Sequence, residues 1–237
     1  MSILITGNKG FIGSKIDLEA DGIDLKDGVD IVTYQANKKY DVVIHTAAKV
    51  SVTESMENPQ EYFRTNVLGT LNMLKQHPEA HFIYLSTAAI YGEGEDHTVD
   101  SRLKPESIYA ITKLTGEYLI KSMAKSYAIL RLTNVIGSGE RGEPNVYQIF
   151  DKAEVLPIYG DGLQTRDFIP VSYVCEAIMI CVRTPAGGTT INIGTGVSKT
   201  ILQVAAEFKK PIKFLPARVG EIRNFGVKDA FYFDPKS

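Results

Sequence analysis

Short runs of aliphatic, β-branched and aromatic residues punctuate the chain at residues 2–5, 40–45, 81–86, 127–132 and 190–193. They are nearly continuous in hydrophobicity rather than alternating, which is the pattern of strands covered on both faces. Between them, residues 59–75 and 107–124 carry apolar positions at helical spacing. Strands alternating with helices predict parallel βαβ units and an α/β chain with a doubly wound parallel sheet. Past about Gly137 the pattern loosens into turn-rich stretches: GSGERGEP, YGDGLQTRD and TPAGG. No internal repeat or low-complexity tract interrupts the sequence.

Composition narrows the class. The 237 residues are 44% hydrophobic and 23% charged with a net charge of −2, which excludes disordered, collagen-like and coiled-coil chains. That length predicts one large domain, or one domain with a small appendage. Basic residues are scattered, so no nucleic-acid partner is expected. Cys175 and Cys181 share one apolar segment, VCEAIMICV, and read as buried free thiols in a reducing compartment. The segment is too short to span a bilayer. The opening MSILITG has no basic region and no cleavage site, so the expectation is a cytoplasmic protein without a membrane partner.

The first strand runs directly into Thr6-Gly7-Asn8-Lys9-Gly10-Phe11-Ile12-Gly13-Ser14. Glycines at three-residue spacing let the backbone turn tightly. They also bring helix-terminal N–H groups against a pyrophosphate, whose charge a helix dipole would stabilise. Such a loop between strand and helix predicts a Rossmann-type sheet and a dinucleotide. An acidic residue should follow at the end of the second strand to hold the adenosine ribose. Asp24 arrives earlier than the usual interval of about 20 residues allows. Either the first helix is clipped, or a strand and a helix are missing, and NAD versus NADP stays open. After the next strand, the small Ala47 and Ala48 permit close approach to a flat cofactor. Asn66 lies where a helix could direct it back at the sheet, and His45 reads as a packed strand-end histidine.

The decisive constellation is Leu85-Ser86-Thr87-Ala88-Ala89-Ile90-Tyr91-Gly92 followed by Tyr109-Ala110-Ile111-Thr112-Lys113. Residues four apart share a helix face. Lys113 would therefore bring its ammonium near the Tyr109 phenol and make it usable as a general base near neutrality. Thr87, at a strand end, would hydrogen-bond and orient the substrate oxygen. Tyr34/Lys38 and Tyr232/Lys236 repeat the spacing, but only the Tyr109 pair lies on a credible helix downstream of a Ser/Thr strand end.

With these residues in view, the chain resembles the extended short-chain dehydrogenases, and within them the NAD-dependent epimerase/dehydratase group that acts on nucleotide sugars. The resemblance runs through TGNKGFIGS, IHTAAKVSVTESMENP, NVLGTLNML, LSTAAIYGE, PESIYAITKLTGE, LRLTNVIG, IYGDGLQTRDFIPV, INIGTG and PARVGEIR, in order over nearly the whole chain. It implies a catalytic triad of Thr87, Tyr109 and Lys113, with Lys113 also meeting the nicotinamide ribose. Gly7, Gly10, Phe11, Ile12 and Gly13 match the pyrophosphate loop. Asp24 begins a D-L-x-D element that approaches adenine, and Ala47, Ala48 and Asn66 complete the NAD set. Ser51, Thr87, Asn134, Arg166 and Arg218 match positions that contact the nucleotide-sugar. Arginine suits diphosphate oxygens because its planar fork donates two parallel hydrogen bonds. The implied division is a dinucleotide-binding domain over residues 1–136 and a small substrate-binding region over 137–237, with some segments returning to the sheet. No metal is expected.

The residues after Thr87 choose among reactions. Sugar 4,6-dehydratases resemble one another in carrying Asp-Glu there, an acid and a base for expelling water, whereas this chain has Ala88-Ala89. The expectation is epimerisation of a nucleotide-diphosphate sugar at C4 through a 4-keto intermediate. An NADPH-dependent keto-sugar reductase and a non-catalytic dinucleotide sensor are the alternatives. The resemblance further implies a homodimer formed through residues 65–75 and 109–124. The chain is shorter than typical members, and the shortfall is expected between Gly13 and Asp24, at the ribose-reading strand, and after Arg218, at the substrate lid.

Overall fold

The computed structural model describes all residues except 140–143, 186, 218–221 and 232–237. In chain order the strands are β1 (Ile3–Thr6), β2 (Asp21–Ile23), β3 (Val42–His45), β4 (His81–Thr87), β5 (Gly94–His97), β6 (Ser126–Leu132) and β7 (Asn134–Ile136). They continue as β8 (Leu156–Tyr159), β9 (Thr165–Pro170), β10 (Thr189–Ile193), β11 (Ser198–Thr200), β12 (Ile212–Leu215) and β13 (Phe225–Val227). The helices are α1 (Val52–Glu57), α2 (Pro59–Tyr62), α3 (Thr70–Gln76), α4 (Ile108–Met123), α5 (Val146–Lys152), α6 (Val171–Arg183) and α7 (Ile201–Phe208). A π-helical stretch, Phe63–Gly69, joins α2 to α3.

Six strands form one parallel sheet in the order β10-β6-β4-β3-β1-β2. Successive residues feed opposite cores, as the two-residue period of a strand requires. Ile3, Ile5, Ile44, Ile83, Leu85 and Leu130 pack with Val174 and Ile178 of α6. Leu4, Val43, Phe82, Tyr84 and Ile129 pack on the other face with Met73 of α3 and Ile120 of α4. Both faces are covered, which explains the continuous apolar runs. A separate small core joins Phe150, Leu156, Ile158, Phe168 and Val204 beside two short sheets, β11-β9-β7 and β12-β8. Cys175 and Cys181 are free thiols on α6, and burial pushes Cys181 up to about 11. No helix among the described residues is long and apolar enough to cross a membrane.

Of the two alternatives for the N-terminal region, the structure shows the clipped helix: β2 is present and pairs with β1, and Asp24 stands just beyond its end. What is clipped is the first helix, reduced to one 3-10 turn, Gly13–Lys15. A parallel crossover needs about a dozen residues, and the glycine loop uses much of that allowance, leaving no length for a full helix. The helix dipole expected behind the pyrophosphate loop is therefore absent. Compared with the 3-2-1-4-5-6 order of the full doubly wound sheet, the edge beyond β2 lacks one strand. The described residues past 221 return across the molecule, and β13 pairs with β5 just after the Thr87 strand end.

Candidate active site

β1 pairs with β2 on one side and β3 on the other, so the strand order reverses there. Ligands of open α/β sheets bind at the carboxyl ends of strands beside such a switch point. A cavity of about 730 Å³ opens there. Its wall includes Gly10, Phe11, Ile12 and Gly13 of the first loop, and Ala48 and Ser51 after β3. Thr87, Tyr109, Lys113 and Asn134 complete the expected residues that line it. Sequence spacing and structure agree that these elements converge.

Each is placed by local chemistry. Gly7 adopts φ +71°, and a Cβ there would stand 2.8 Å from the Ala47 backbone. Only glycine lets β1 turn this close to the loop after β3. Thr87 ends β4, and its hydroxyl accepts from Ala89 N at 3.2 Å. Ser107 caps α4 by accepting from Ala110 N at 3.1 Å. Ser55 Oγ accepts from Tyr109 N, also at 3.1 Å, which fixes the first turn of α4. Ser51 accepts from Glu54 N at 3.1 Å as the cap of α1.

Lys113 is buried on the same face of α4 one turn after Tyr109, its Nζ 4.3 Å from the centre of the Tyr84 ring. Burial pushes its ammonium down to about 7, while the charge of Glu117 pulls the other way. His45 is packed as expected. Its ring nitrogens meet Thr6 Oγ1 at 2.8 Å and Thr70 Oγ1 at 3.0 Å, and burial, then the Lys113 charge, hold it down to about 3. It is a neutral bridge under the cleft, not an acid or base.

Other expected residues lie outside the wall. Asp24 stands behind the glycine loop, its two carboxylate oxygens accepting from Lys9 N and Lys26 N, each at 2.9 Å. Asn66 sits behind the loop after β3. Its Oδ1 accepts from Lys49 N at 2.8 Å, and its Nδ2 donates to Lys49 O and Thr112 Oγ1, each at 3.0 Å. It braces the cavity wall against α4 instead of presenting an amide to a cofactor. Ala47 packs partly buried against the core beside α3. Arg166, on β9, donates to Thr165 O at 2.6 Å and Arg223 O at 3.2 Å, turned toward the C-terminal segment. Arg218 lies outside the described residues.

Three features escaped the sequence reading. Phe225 of β13 closes one side of the cavity. Lys49 and Glu54 both line it and form an ion pair at 2.8 Å, with Tyr62 donating to the second Glu54 oxygen at 3.0 Å. Buried Glu117 and Arg131 pair beneath it at 2.8 Å. Arg131 had a visible signal, a lone charge inside the strand run Leu130-Arg131-Leu132, where burial demands a partner.

The site accommodates a dinucleotide. Gly10, Phe11, Ile12 and Gly13 of the glycine loop line the cavity, and the two glycines put no side chain into it. Each Asp24 oxygen accepts one N–H and keeps acceptor capacity for a ribose hydroxyl.

The comparisons agree with this geometry. The NAD dependent epimerase/dehydratase family model matches residues 17–194. A Methanocaldococcus jannaschii protein named for UDP-glucose 4-epimerase activity is 33% identical, covering 98% of this chain and 80% of its own length. A dTDP-glucose 4,6-dehydratase of Xanthomonas campestris is 28% identical over 85% of this chain and 73% of its own. The solved structure of MoeE5 with UDP-glucuronic acid and NAD superposes with a TM-score of 0.85 at 27% identity, covering 96% of this chain and 89% of that one. The chain belongs to the NAD-dependent epimerase/dehydratase family, the enzymes of short-chain dehydrogenase type that act on nucleotide sugars. NAD is the cofactor of that family.

Proposed function

We propose that this enzyme epimerises a nucleotide-diphosphate sugar at C4, with UDP-glucose and UDP-galactose as the first pair to test. The observation that carries the reading is the wall beside Thr87. Ala88 is buried and Ala89 lines the cavity, so neither position offers an acid or base. Among the described residues Glu54 is the one carboxylate in the wall, and Lys49 and Tyr62 already hold it. Elimination of water from a sugar needs an acid and a base, and this wall has neither to spare. A UDP-glucose 4-epimerase name on the similar archaeal chain supports the same choice.

NAD, when bound, supplies a reversible hydride acceptor, so a sugar alcohol can pass through its ketone and return. Tyr109 takes the C4 hydroxyl proton as general base and later returns it. Lys113 favours the phenolate by its charge. Thr87 donates to the C4 oxygen and holds it. Asn134 and Ser51 line the cavity and meet the sugar, and Arg218 serves the diphosphate; Arg166 would have to turn from Thr165 O and Arg223 O to join it. The sugar turns about that anchor, and the opposite face is presented for reduction. Ile111 and Tyr118 of α4 and Phe63 and Leu68 of the π-helical stretch are exposed apolar residues, which supports a homodimer through these helices.

Incubation of the wild type with UDP-glucose, UDP-galactose and their N-acetyl forms tests the reading. Interconversion by wild type and not by Tyr109→Phe is the expected result. Appearance of a 4-keto-6-deoxy sugar would replace it with a dehydratase. Stoichiometric loss of reduced nicotinamide would replace it with a reductase.

A further inference from the structure

Beneath the cleft, a chain of buried polar groups starts one turn after Lys113. Glu117 on α4 is fully buried. Its Oε1 accepts from Ser86 Oγ at 2.6 Å and from Arg131 Nε at 3.0 Å, and its Oε2 accepts from Arg131 Nη2 at 2.8 Å. Arg131 Nη1 donates onward to Tyr91 Oη at 2.7 Å and Val99 O at 3.0 Å. Tyr91 then donates to Asn192 Oδ1 at 2.7 Å, and Asn192 Nδ2 to Asp229 Oδ1 at 2.6 Å.

Every anchor of the Glu117 carboxylate adjoins the cavity. Ser86 lines it and precedes Thr87 on β4, and Arg131 precedes Leu132, which lines it from β6. A buried ion pair is a poor source of stability, because apolar side chains of equal volume would hold the same elements without the desolvation cost. The position of the pair, rather than its energy, is what needs a reason.

We propose that Glu117 is a positioning residue: clamped by Arg131 and Ser86, it fixes α4 against β4 and β6 so that Thr87, Tyr109 and Lys113 share one geometry, and it keeps the buried Lys113 ammonium charged. This rests on the Tyr109–Lys113 roles given above. Among the described residues, the surroundings of Lys113 supply no comparable anion. From β4 comes the Tyr84 ring, from β3 the neutral His45 stacked on that ring at 5.8 Å, and from its own helix Tyr109. On the side of α1, Glu54 is held by Lys49. Lys121 stands 3.8 Å from Glu117 and Arg131 is bound to it at 2.8 Å, so the carboxylate is the anion shared by the local cations.

The test separates charge from scaffolding. Glu117→Leu combined with Arg131→Met removes the pair and leaves no buried charge behind. Carbon-13-labelled lysine, with the Lys113 resonance assigned by its loss in Lys113→Met, reports the titration of that ammonium directly by NMR. The double variant should keep a wild-type-like Tm while the Lys113 midpoint falls by about one pH unit or more. The alkaline decline of kcat on UDP-glucose should move to lower pH with it, with KM little changed. Glu117→Asp should return the midpoint toward the wild-type value, and Glu117→Gln, which keeps the side-chain shape, should show the same fall as the double variant. An unshifted Lys113 midpoint in both Glu117→Gln and the double variant overturns the proposal. The NMR readout needs no turnover, so a wild type inactive on every nucleotide sugar would sink the epimerase reading and leave this question answered separately.

Discussion

The end of the cleft under α4 and the end beside β2 are made by opposite means. Under α4, Lys113, Glu117 and Arg131 are all buried, and each is held by neighbours on a different strand or helix of the sheet. Beside β2, the turn is short and Asp21 and Gly22 are exposed. The Lys9–Asp27 ion pair stands nearly half exposed on both partners, 47% and 41%. One end is defined by groups that cannot relax, the other by backbone N–H groups gathered on Asp24. The difference teaches that a dinucleotide fold can lose a helix and an edge strand at the end that only binds, while the end assigned to chemistry keeps its full set of supports.

This contrast predicts a gradient of mutational effects. The steepest falls at Tyr109, where Tyr109→Phe should lower kcat by about 10³-fold, within the range for a lost general base, with NAD affinity by calorimetry nearly unchanged. Next, Arg131→Met leaves Glu117 buried without its partner and should cost about 3–5 kcal/mol in urea unfolding. A much smaller loss would show that water reaches this end, and would erase the contrast. Asp24→Asn removes the charge proposed to hold the ribose. It should weaken NAD about tenfold, the scale of one hydrogen bond to a charged group. Last, Lys9→Ala breaks only an exposed pair and should alter NAD affinity and Tm within about twofold and a degree or two, respectively. A larger effect there would mean that the β2 end is as tightly defined as the other.

What could be read from the sequence follows the same division. Tyr109 and Lys113 share a spacing that two other pairs repeat, and what selected them was a helix downstream of the Ser/Thr strand end at Thr87. Asp24 was placed at a strand end, but whether a strand or a helix had been lost depended on how few residues can cross over a sheet. Asn66 was placed where a helix could direct it back at the sheet, and only the resemblance put it in the NAD set. It lies in a π-helical stretch, where the wider turn changes the direction of each side chain. It points instead to Lys49 and Thr112. Phe225 depends on a contact between segments remote in sequence, which no local pattern carries; for Arg131 the apolar run around it signalled a buried charge, but not that Glu117 is its partner.

β13 brings one more consequence, which concerns what a change far along the chain can reach. β1 to β4 and β6 share one parallel sheet, whereas β5 pairs with β13, which lies far from it in sequence. The same segment carries Phe225, a wall of the cavity, and is followed by Asp229, which accepts from Asn192. A substitution in β13 that leaves the parallel sheet whole can therefore still open the cleft, so loss of ligand capture and loss of folding are separable at that wall.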